Sequence, residues 1–129
     1  MRTRLPDTVV SAAADAFASG ARRKRFDSPG ALAKALDPTT VQTPALQLID
    51  EALVDVAEGR TNRLMISLAP QEGKSQRTSR RFPLWTLLRN PETRIALVSY
   101  AHTMSRRWGR AVRDDIYAHP DLGLAVSAT

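Results

Sequence analysis

The sequence has no cysteine among its 129 residues. Disulfide bonds and thiolate metal ligands are therefore excluded, and a reducing compartment is permitted. Its two histidines, His102 and His119, have no carboxylate at metal-ligand spacing, so a metal site built only from protein side chains is not expected. Aromatic residues make up only 5% of the chain, so aliphatic side chains and alanine must supply most of the packing.

The chain also lacks an apolar run that approaches the roughly 20 residues of a membrane-spanning helix. Its N-terminal segment begins with basic residues and contains many small ones, which is faintly typical of a signal peptide. Asp7 and Asp15 interrupt any apolar core there, so an amphipathic helix, Thr8 to Ser19, is the favoured interpretation. We therefore expect a cytoplasmic protein.

Basic side chains are concentrated in one stretch of the sequence. Residues 60–113 contain twelve basic and two acidic side chains, whereas residues 1–59 contain seven basic and eight acidic ones. The net charge of the whole chain is +6. This distribution favours binding of a polyanion, either a nucleotide or a nucleic acid, although arginines that only solvate helix surfaces would give the same pattern.

Two helix start signals stand in the first half of the chain. Ser28-Pro29 and Thr43-Pro44 each place an N-capping hydroxyl directly before a proline that suits the first helical turn. Gly59 is expected to cap the C-terminus of the second helix. These signals predict helices over 30–36 and 45–58, and residues 1–42 are interpreted as an N-terminal helical region.

Two short apolar runs, 63–68 and 94–99, are predicted to be buried strands because each is too short to form a helix of its own. A helix is predicted between them, and another follows the second run. This order predicts a βαβ crossover, and so an α/β fold with parallel strands and flanking helices. Two strands leave such a sheet incomplete.

The helix between the two runs is predicted from about Lys74 to Leu88. Pro83 is expected to bend it or to start a second helix, because proline removes a backbone donor and clashes with the preceding turn. The later helix is predicted over 101–118, where apolar residues recur every four positions. Its arginines lie largely off that apolar stripe.

A candidate phosphate-binding loop lies between the first run and its helix. Gly73-Lys74-Ser75 matches the second half of the Walker A pattern, but Leu68 occupies the position of the first glycine. A half-match is weak by itself, and an ordinary capped turn would look similar. The predicted strand before it and the predicted helix after it make nucleotide binding the favoured interpretation.

The chemistry of phosphate binding assigns a role to each residue of this loop. Gly73 lets the backbone approach phosphate oxygens closely, and the helix N-terminus adds its positive dipole end. Lys74 would reach the β- and γ-phosphates of ATP and is the catalytic candidate, while the Ser75 hydroxyl would bind Mg²⁺. The predicted phosphate-binding residues are Gln71, Glu72, Gly73, Lys74, Ser75 and Gln76.

Carboxylates that could hold Mg²⁺ and activate water are missing from the expected place, the end of a later buried strand. The only adjacent acidic pair downstream, Asp114-Asp115, lies on a predicted amphipathic helix and is interpreted as solvated surface. We therefore expect the chain to help hold ATP without hydrolysing it unaided.

The order of motifs over roughly 43–116 resembles the large terminase subunit of tailed bacteriophages. That family tolerates loss of the first Walker glycine, which accounts for Leu68. The segments that carry the resemblance are Leu64–Ser75, Phe82-Pro83-Leu84-Trp85, Asn90-Pro91, Ser99-Tyr100 and Arg110–Ile116.

The resemblance implies an ATP- and Mg²⁺-dependent motor that pumps double-stranded DNA into a procapsid, in the cytoplasm of a bacterial host. It implies a partial P-loop NTPase (RecA-like) fold over residues 43–129, truncated before the Walker B strand and the nuclease domain of the full protein. We therefore expect the chain to be a fragment, a truncated gene product or one part of a split protein. The implied partners are the portal protein, the small terminase subunit and further copies in a homo-oligomeric ring.

The resemblance also suggests that Gln47 matches the glutamine that recognises adenine, and an exposed helix residue is an equal alternative. Family members often carry an arginine within the loop, where this chain has Gln71 and Glu72. Three arginines follow the lysine and could substitute, but their helix is expected to point them elsewhere. They are Arg77, Arg80 and Arg81.

Two other functions remain open from the sequence. A helicase or another nucleic-acid-stimulated P-loop ATPase could use the same scaffold. A non-catalytic basic module that binds nucleic acid is the second alternative. For DNA contact we single out Arg106 and Arg110, on the helix predicted over 101–118.

Overall fold

The computed structural model describes residues 23–127. A π-helical segment, Gln76–Arg81, and a short 3-10 turn, Pro120–Leu122, accompany the α-helices of this range. The helix predicted over Thr8 to Ser19 lies outside the described residues. The α-helices are α1 (Pro29–Leu36), α2 (Pro44–Ala57), α3 (Phe82–Arg89) and α4 (His102–Ala118).

The predicted helix starts are confirmed at α1 and α2. The Ser28 hydroxyl accepts a hydrogen bond from the Ala31 N–H at 3.1 Å, and the Thr43 hydroxyl accepts one from the Leu46 N–H at 3.2 Å. Each bond satisfies a donor that the first helical turn leaves without an intrahelical partner. Gly59 follows α2 with a φ of +76°, the left-handed conformation typical of a glycine after a helix.

The predicted helix after the loop is also confirmed, with a widened turn directly before its proline. Helical residues run without a break from Lys74 to Arg89, and Gln76–Arg81 forms the π-helical part. The Phe82 N–H bonds to the Arg77 carbonyl, five residues back. Because Pro83 has no N–H and would crowd the carbonyl of the preceding turn, the wider turn lets the helix continue through it.

The helices pack around two apolar clusters. The larger cluster joins all four α-helices and the 3-10 turn, and the smaller one lies along α2. The buried residues of the larger cluster are Leu32, Leu84, Trp85, Leu88, Val112 and Leu122. Those of the smaller cluster are Leu46, Ile49 and Leu53, and Ile66 and Leu68 pack against them. Both clusters hold the helix after the loop between α2 and α4.

The prediction of an α/β fold with parallel strands is wrong for the part of the chain that the structure describes. Residues 63–68 and 94–99, here called the apolar segments, form no strand, and the secondary structure of residues 23–127 is helical. Nor are they buried as predicted: Met65 is 94% exposed and Val98 is 89% exposed. The physical reason is that a strand requires a neighbouring strand for its backbone hydrogen bonds. Within residues 23–127, no other segment forms such hydrogen bonds with either apolar segment.

None of the helices within residues 23–127 is both long enough and apolar enough to cross a membrane.

Candidate functional site

The predicted phosphate loop lines a concavity of about 550 Å³ at the start of the helix that leads into α3. This volume falls within the range of roughly 300–1,000 Å³ that is usual for small-ligand pockets. Its lining is a single continuous stretch of chain, 68–76, which includes every residue predicted to bind phosphate. The structure therefore brings Gln71 through Gln76 together at one surface.

Two residues of the loop adopt the left-handed backbone conformation. Gln71 has a φ of +67° and Gly73 a φ of +80°. Gly73 is followed directly by helical Lys74, and adjoining left-handed and helical residues orient successive N–H groups to one side, which forms an anion-binding concavity. A non-glycine residue such as Gln71 costs roughly 1–3 kcal/mol in this conformation, and such strain is concentrated at ligand-binding sites.

Gly73 is held against α2. A Cβ atom added to it would lie 3.6 Å from Leu46 Cδ1, so the loop backbone rests on the smaller apolar cluster. A side chain there would fit in space, but the positive φ makes any residue other than glycine strained. The glycine is therefore required by its backbone conformation, whereas the sequence had suggested only a close approach to phosphate oxygens.

The charged groups of the loop are Glu72, which is exposed, and Lys74, which is half-buried. Neither takes part in an ion pair within the described residues. The lysine charge is thus available to a phosphate group, and the exposed hydroxyl of Ser75 lies next to it. Backbone amides, an ammonium group and a hydroxyl form a donor set that fits a triphosphate with its magnesium ion.

Arg77 does not point to the loop concavity, in agreement with the prediction for the three arginines. Its side chain is 3% exposed and forms an ion pair with Asp50 of α2, which is also buried. Sequence reasoning missed Asp50. The available signal was its position on the buried face of α2, one residue after Ile49 and four after Leu46, because a buried carboxylate requires a partner.

Arg80 and Arg81 are directed to α4 instead. Arg80 donates two hydrogen bonds to the Asp115 carboxylate, both 2.8 Å long, and Arg81 donates a third at 3.1 Å. The hydrogen bonds with Asp115 raise the pKa of Arg80, whereas burial lowers the pKa of Arg81 despite the same carboxylate. Neither side chain takes the place of an arginine within the loop.

The interpretation of Asp114-Asp115 as solvated surface is wrong for one of the two residues. Asp114 is exposed, but Asp115 is 5% exposed and accepts the hydrogen bonds of Arg80 and Arg81. The signal was its spacing of three residues from Val112, which places it on the buried side of α4. Asp115 is a structural anchor and lies outside the lining of the loop concavity.

Gln47 lies on α2, and its side chain is exposed. Its amide approaches Glu51 Oε1 at 3.4 Å, and it lines a second cavity of about 480 Å³ that has no lining residue in common with the loop concavity. The structure therefore does not bring Gln47 into the loop concavity, although its neighbour Leu46 contacts the loop.

The arginines of α4 form an exposed basic face. Arg107 also stacks on Trp108, with its guanidinium carbon 5.5 Å from the ring centroid. Arg106 and Arg110, the residues predicted to contact DNA, are both exposed, as the off-stripe spacing predicted. The four exposed arginines are Arg106, Arg107, Arg110 and Arg113.

Within residues 23–127 no group of three or more histidine, cysteine, aspartate or glutamate side chains could hold a metal ion. A magnesium ion at this site would take the Ser75 hydroxyl, phosphate oxygens and water as ligands, whereas Mg²⁺ bound with nucleotides usually also has one or two carboxylates. Comparison with protein-family models, curated proteins and solved structures found no match for this chain.

Proposed function

We propose that the loop Ala69–Ser75 binds the phosphate groups of ATP with Mg²⁺, and that the chain is the ATP-binding segment of a DNA-packaging motor of the large terminase type. The observation that carries the proposal is the left-handed Gly73 directly before a helix that begins with Lys74, which forms no ion pair within residues 23–127. The order of motifs over roughly 43–116, which resembles that of the large terminase subunit, supports the assignment to a terminase-type motor.

Each group of the loop has a role in this proposal. The amides around Gly73 and at the helix N-terminus would donate hydrogen bonds to the phosphate oxygens, because both direct N–H groups and positive potential outward. Lys74 would bind the terminal phosphates as a point charge. Ser75 would supply one ligand to Mg²⁺, whose chemistry when bound is to neutralise charge on the phosphate oxygens.

The proposed activity of this chain is binding rather than turnover. Glu72 is the one carboxylate in the lining of the loop concavity, and Asp115 is occupied by Arg80 and Arg81. Hydrolysis requires a carboxylate that positions the attacking water and another that holds the magnesium ion through water. In the proposed motor these groups come from residues outside this chain, as does the nuclease activity.

Calorimetric titration of the chain with Mg·ATP tests the nucleotide part. Lys74→Ala removes a charged donor, and we expect Kd to rise by about 10- to 100-fold because such a bond is worth roughly 1.5–3 kcal/mol. Arg94→Ala is the matched control, since it removes one positive charge at an exposed position outside the loop. Wild-type affinity in Lys74→Ala, or no affinity in the wild-type chain, would contradict the proposal.

The DNA part of the proposal assigns the exposed arginines of α4 to the phosphate backbone of double-stranded DNA. Each phosphate contact contributes about 0.9 to the slope of log K against log salt concentration. We expect Arg106→Ala and Arg110→Ala each to lower that slope by about 1, and Arg60→Ala to leave it unchanged because Arg60 already pairs with Asp55 and Glu58. An unchanged slope in both α4 variants would show that these arginines only solvate the helix.

The exposed arginine face also favours a second candidate, a basic module that binds nucleic acid and no nucleotide. Salt-dependent DNA binding without any affinity for Mg·ATP would select this candidate. A helicase or another nucleic-acid-stimulated ATPase shares the proposed loop chemistry, and DNA packaging in the presence of a portal protein and a small terminase subunit would distinguish the terminase-type motor from it. The terminase proposal includes the partners and the location that the resemblance implies. The partners are the portal protein, the small terminase subunit and further copies in a ring, and the location is the cytoplasm of a bacterial host.

A further inference from the structure

Two buried side chains, Arg77 and Asp50, and one exposed side chain, Gln42, form a closed ring of hydrogen bonds beneath the phosphate loop. Arg77 donates through Nη1 to Asp50 Oδ2 and through Nη2 to Gln42 Oε1, the second bond being 2.9 Å long. Gln42 Nε2 then donates to the same Asp50 Oδ2 at 2.8 Å. The ring joins three parts of the chain, because Gln42 precedes α2, Asp50 lies within α2 and Arg77 lies in the helix after the loop.

The surroundings of the Arg77–Asp50 pair leave little room for other arrangements. Gly30 of α1 lies against it, and a Cβ atom at that position would approach Arg77 Nη1 to 2.8 Å. Asp50 Oδ1 is buried and has no hydrogen-bond partner among the described residues. A buried ion pair is weak evidence for stability, since apolar replacements of similar volume are often equally stable. The contribution of this ion pair is therefore better explained by the position in which it holds the neighbouring segments of the chain.

The ring is connected to the loop by two short links. The Arg77 N–H donates to the Gly73 carbonyl at 3.1 Å, so Arg77 lies one helical turn after the loop glycine. On α2, Leu46 lies one turn before Asp50 and contacts the position of Gly73. The ion pair between Arg77 and Asp50 thus holds the helix that follows the loop glycine against α2. Neither side chain lines the loop concavity.

We infer that Arg77, Asp50 and Gln42 are positioning residues for the phosphate loop. They hold the amides of 73–76 in the conformation that accepts an anion before the ligand arrives, and such preorganisation reduces the ordering cost of binding. The inference rests on the proposed function for its ligand, Mg·ATP. Its effect on the free loop is a property of the chain itself and is measured separately.

Hydrogen exchange of the Arg77 amide, which bonds to the Gly73 carbonyl, is the first measurement in the nucleotide-free chain. We expect exchange at this amide to accelerate at least tenfold in Arg77→Lys and in Gln42→Ala, and exchange in α4 to stay unchanged. Arg77→Lys keeps the charge but loses the two-pronged geometry, and Gln42→Ala keeps the ion pair, so both variants retain a buried partner for Asp50. Arg80→Lys is the matched control, because its partner Asp115 lies on α4 and not on α2.

The double variant Arg77→Met with Asp50→Leu separates positioning from simple stability. Apolar side chains replace both members of the ion pair, so no buried charge is left without a partner. We therefore expect the urea midpoint of the double variant to lie close to that of the wild-type chain. Titration with Mg·ATP is expected to give a Kd about tenfold weaker than wild type, with faster exchange at the amide of residue 77. A double variant with wild-type exchange and wild-type Kd would overturn the inference.

The remaining outcomes distinguish this inference from the proposed function. If the wild-type chain does not bind Mg·ATP but the exchange effects are found, the proposed function fails and the positioning of the loop stands. If the wild-type chain binds Mg·ATP and neither Arg77→Lys nor Gln42→Ala changes exchange or Kd, the proposed function stands and the positioning inference fails. Equal acceleration in Arg80→Lys would assign the effect to general loosening of the helix and would also overturn it.

Discussion

Leu84 in α3 and Met65 in the first apolar segment are side chains of similar size, yet Leu84 is fully buried and Met65 is 94% exposed. The same contrast holds between whole regions. The helices place one face each in a shared core, whereas the apolar segments leave most of their side chains in contact with solvent. Apolar composition alone therefore does not distinguish the residues that are buried within 23–127 from those that are exposed.

The two regions differ in how their backbones are satisfied. A helix forms its hydrogen bonds within itself and needs a neighbour only for its apolar face. An extended segment needs another segment for its backbone groups as well, and the described residues offer none to 63–68 or 94–99. The first segment still packs Ile66 and Leu68 against α2, so its alternate side chains are partly covered.

The largest test of this comparison is a matched pair of truncations. Leu84→Ala is expected to lower the free energy of unfolding by about 4 kcal/mol, toward the upper end of the usual range, because the side chain is completely enclosed. Met65→Ala removes a side chain of the same class and is expected to change it by less than about 0.5 kcal/mol. Urea unfolding of both variants gives the comparison, and a large loss in Met65→Ala would break it.

A buried carboxylate gives the next largest effect. Asp115→Asn removes the charge that holds Arg80 and Arg81 to α4, and we expect a loss of about 3 kcal/mol, the lower end for a broken buried pair because Arg80 is 29% exposed at its side chain. Asp114→Asn is the matched control, since the neighbouring carboxylate is exposed. Equal effects of the two changes on the urea midpoint would contradict the anchoring role of Asp115.

The helices were predictable because their signals are local. Ser28, Thr43 and Gly59 mark helix ends by chemistry that acts within one turn, and each lies where that chemistry predicted. The strand predictions were wrong because strand pairing depends on residues distant in sequence, which a short apolar run does not reveal. The α/β prediction joined correct helices to two segments that form no strand within residues 23–127.

The candidate site was predictable in part. Gly73 and Lys74 belong to a motif whose spacing is local, and the structure gives that loop a left-handed glycine and a helix directly after it. The conformation of Gln71 had no signal, since left-handed backbone is uncommon for glutamine. Asp50 and Asp115 each carry a charge on a buried helix face. A charged residue within an apolar pattern indicates a buried ion pair, and a search for apolar residues alone does not detect it.

A smaller effect is expected from the cap of α1. Ser28→Ala removes the acceptor for the Ala31 N–H, and loss of such a cap costs about 1 kcal/mol. Ser67→Ala is the matched control in the first apolar segment, where the serine is exposed, and it is expected to change stability by less than about 0.5 kcal/mol. A larger loss of stability in Ser67→Ala than in Ser28→Ala would show that the first apolar segment contributes to stability, which would contradict the contrast with the helices.

The smallest expected effect concerns pH and the turn between α1 and α2. Hydrogen bonds from the Thr39 hydroxyl and the Thr39 N–H hold the pKa of Asp37 below its usual value. The folded state therefore gains stability that is present above the ordinary aspartate pKa of about 4 and is lost as pH falls through the lowered value. Because the carboxylate is exposed, we expect the change to be visible in an NMR titration and slight in urea unfolding. Thr39→Ala removes the stronger bond and should move the pKa of Asp37 upward toward its usual value, while an unmoved pKa would show that the backbone bond alone sets it.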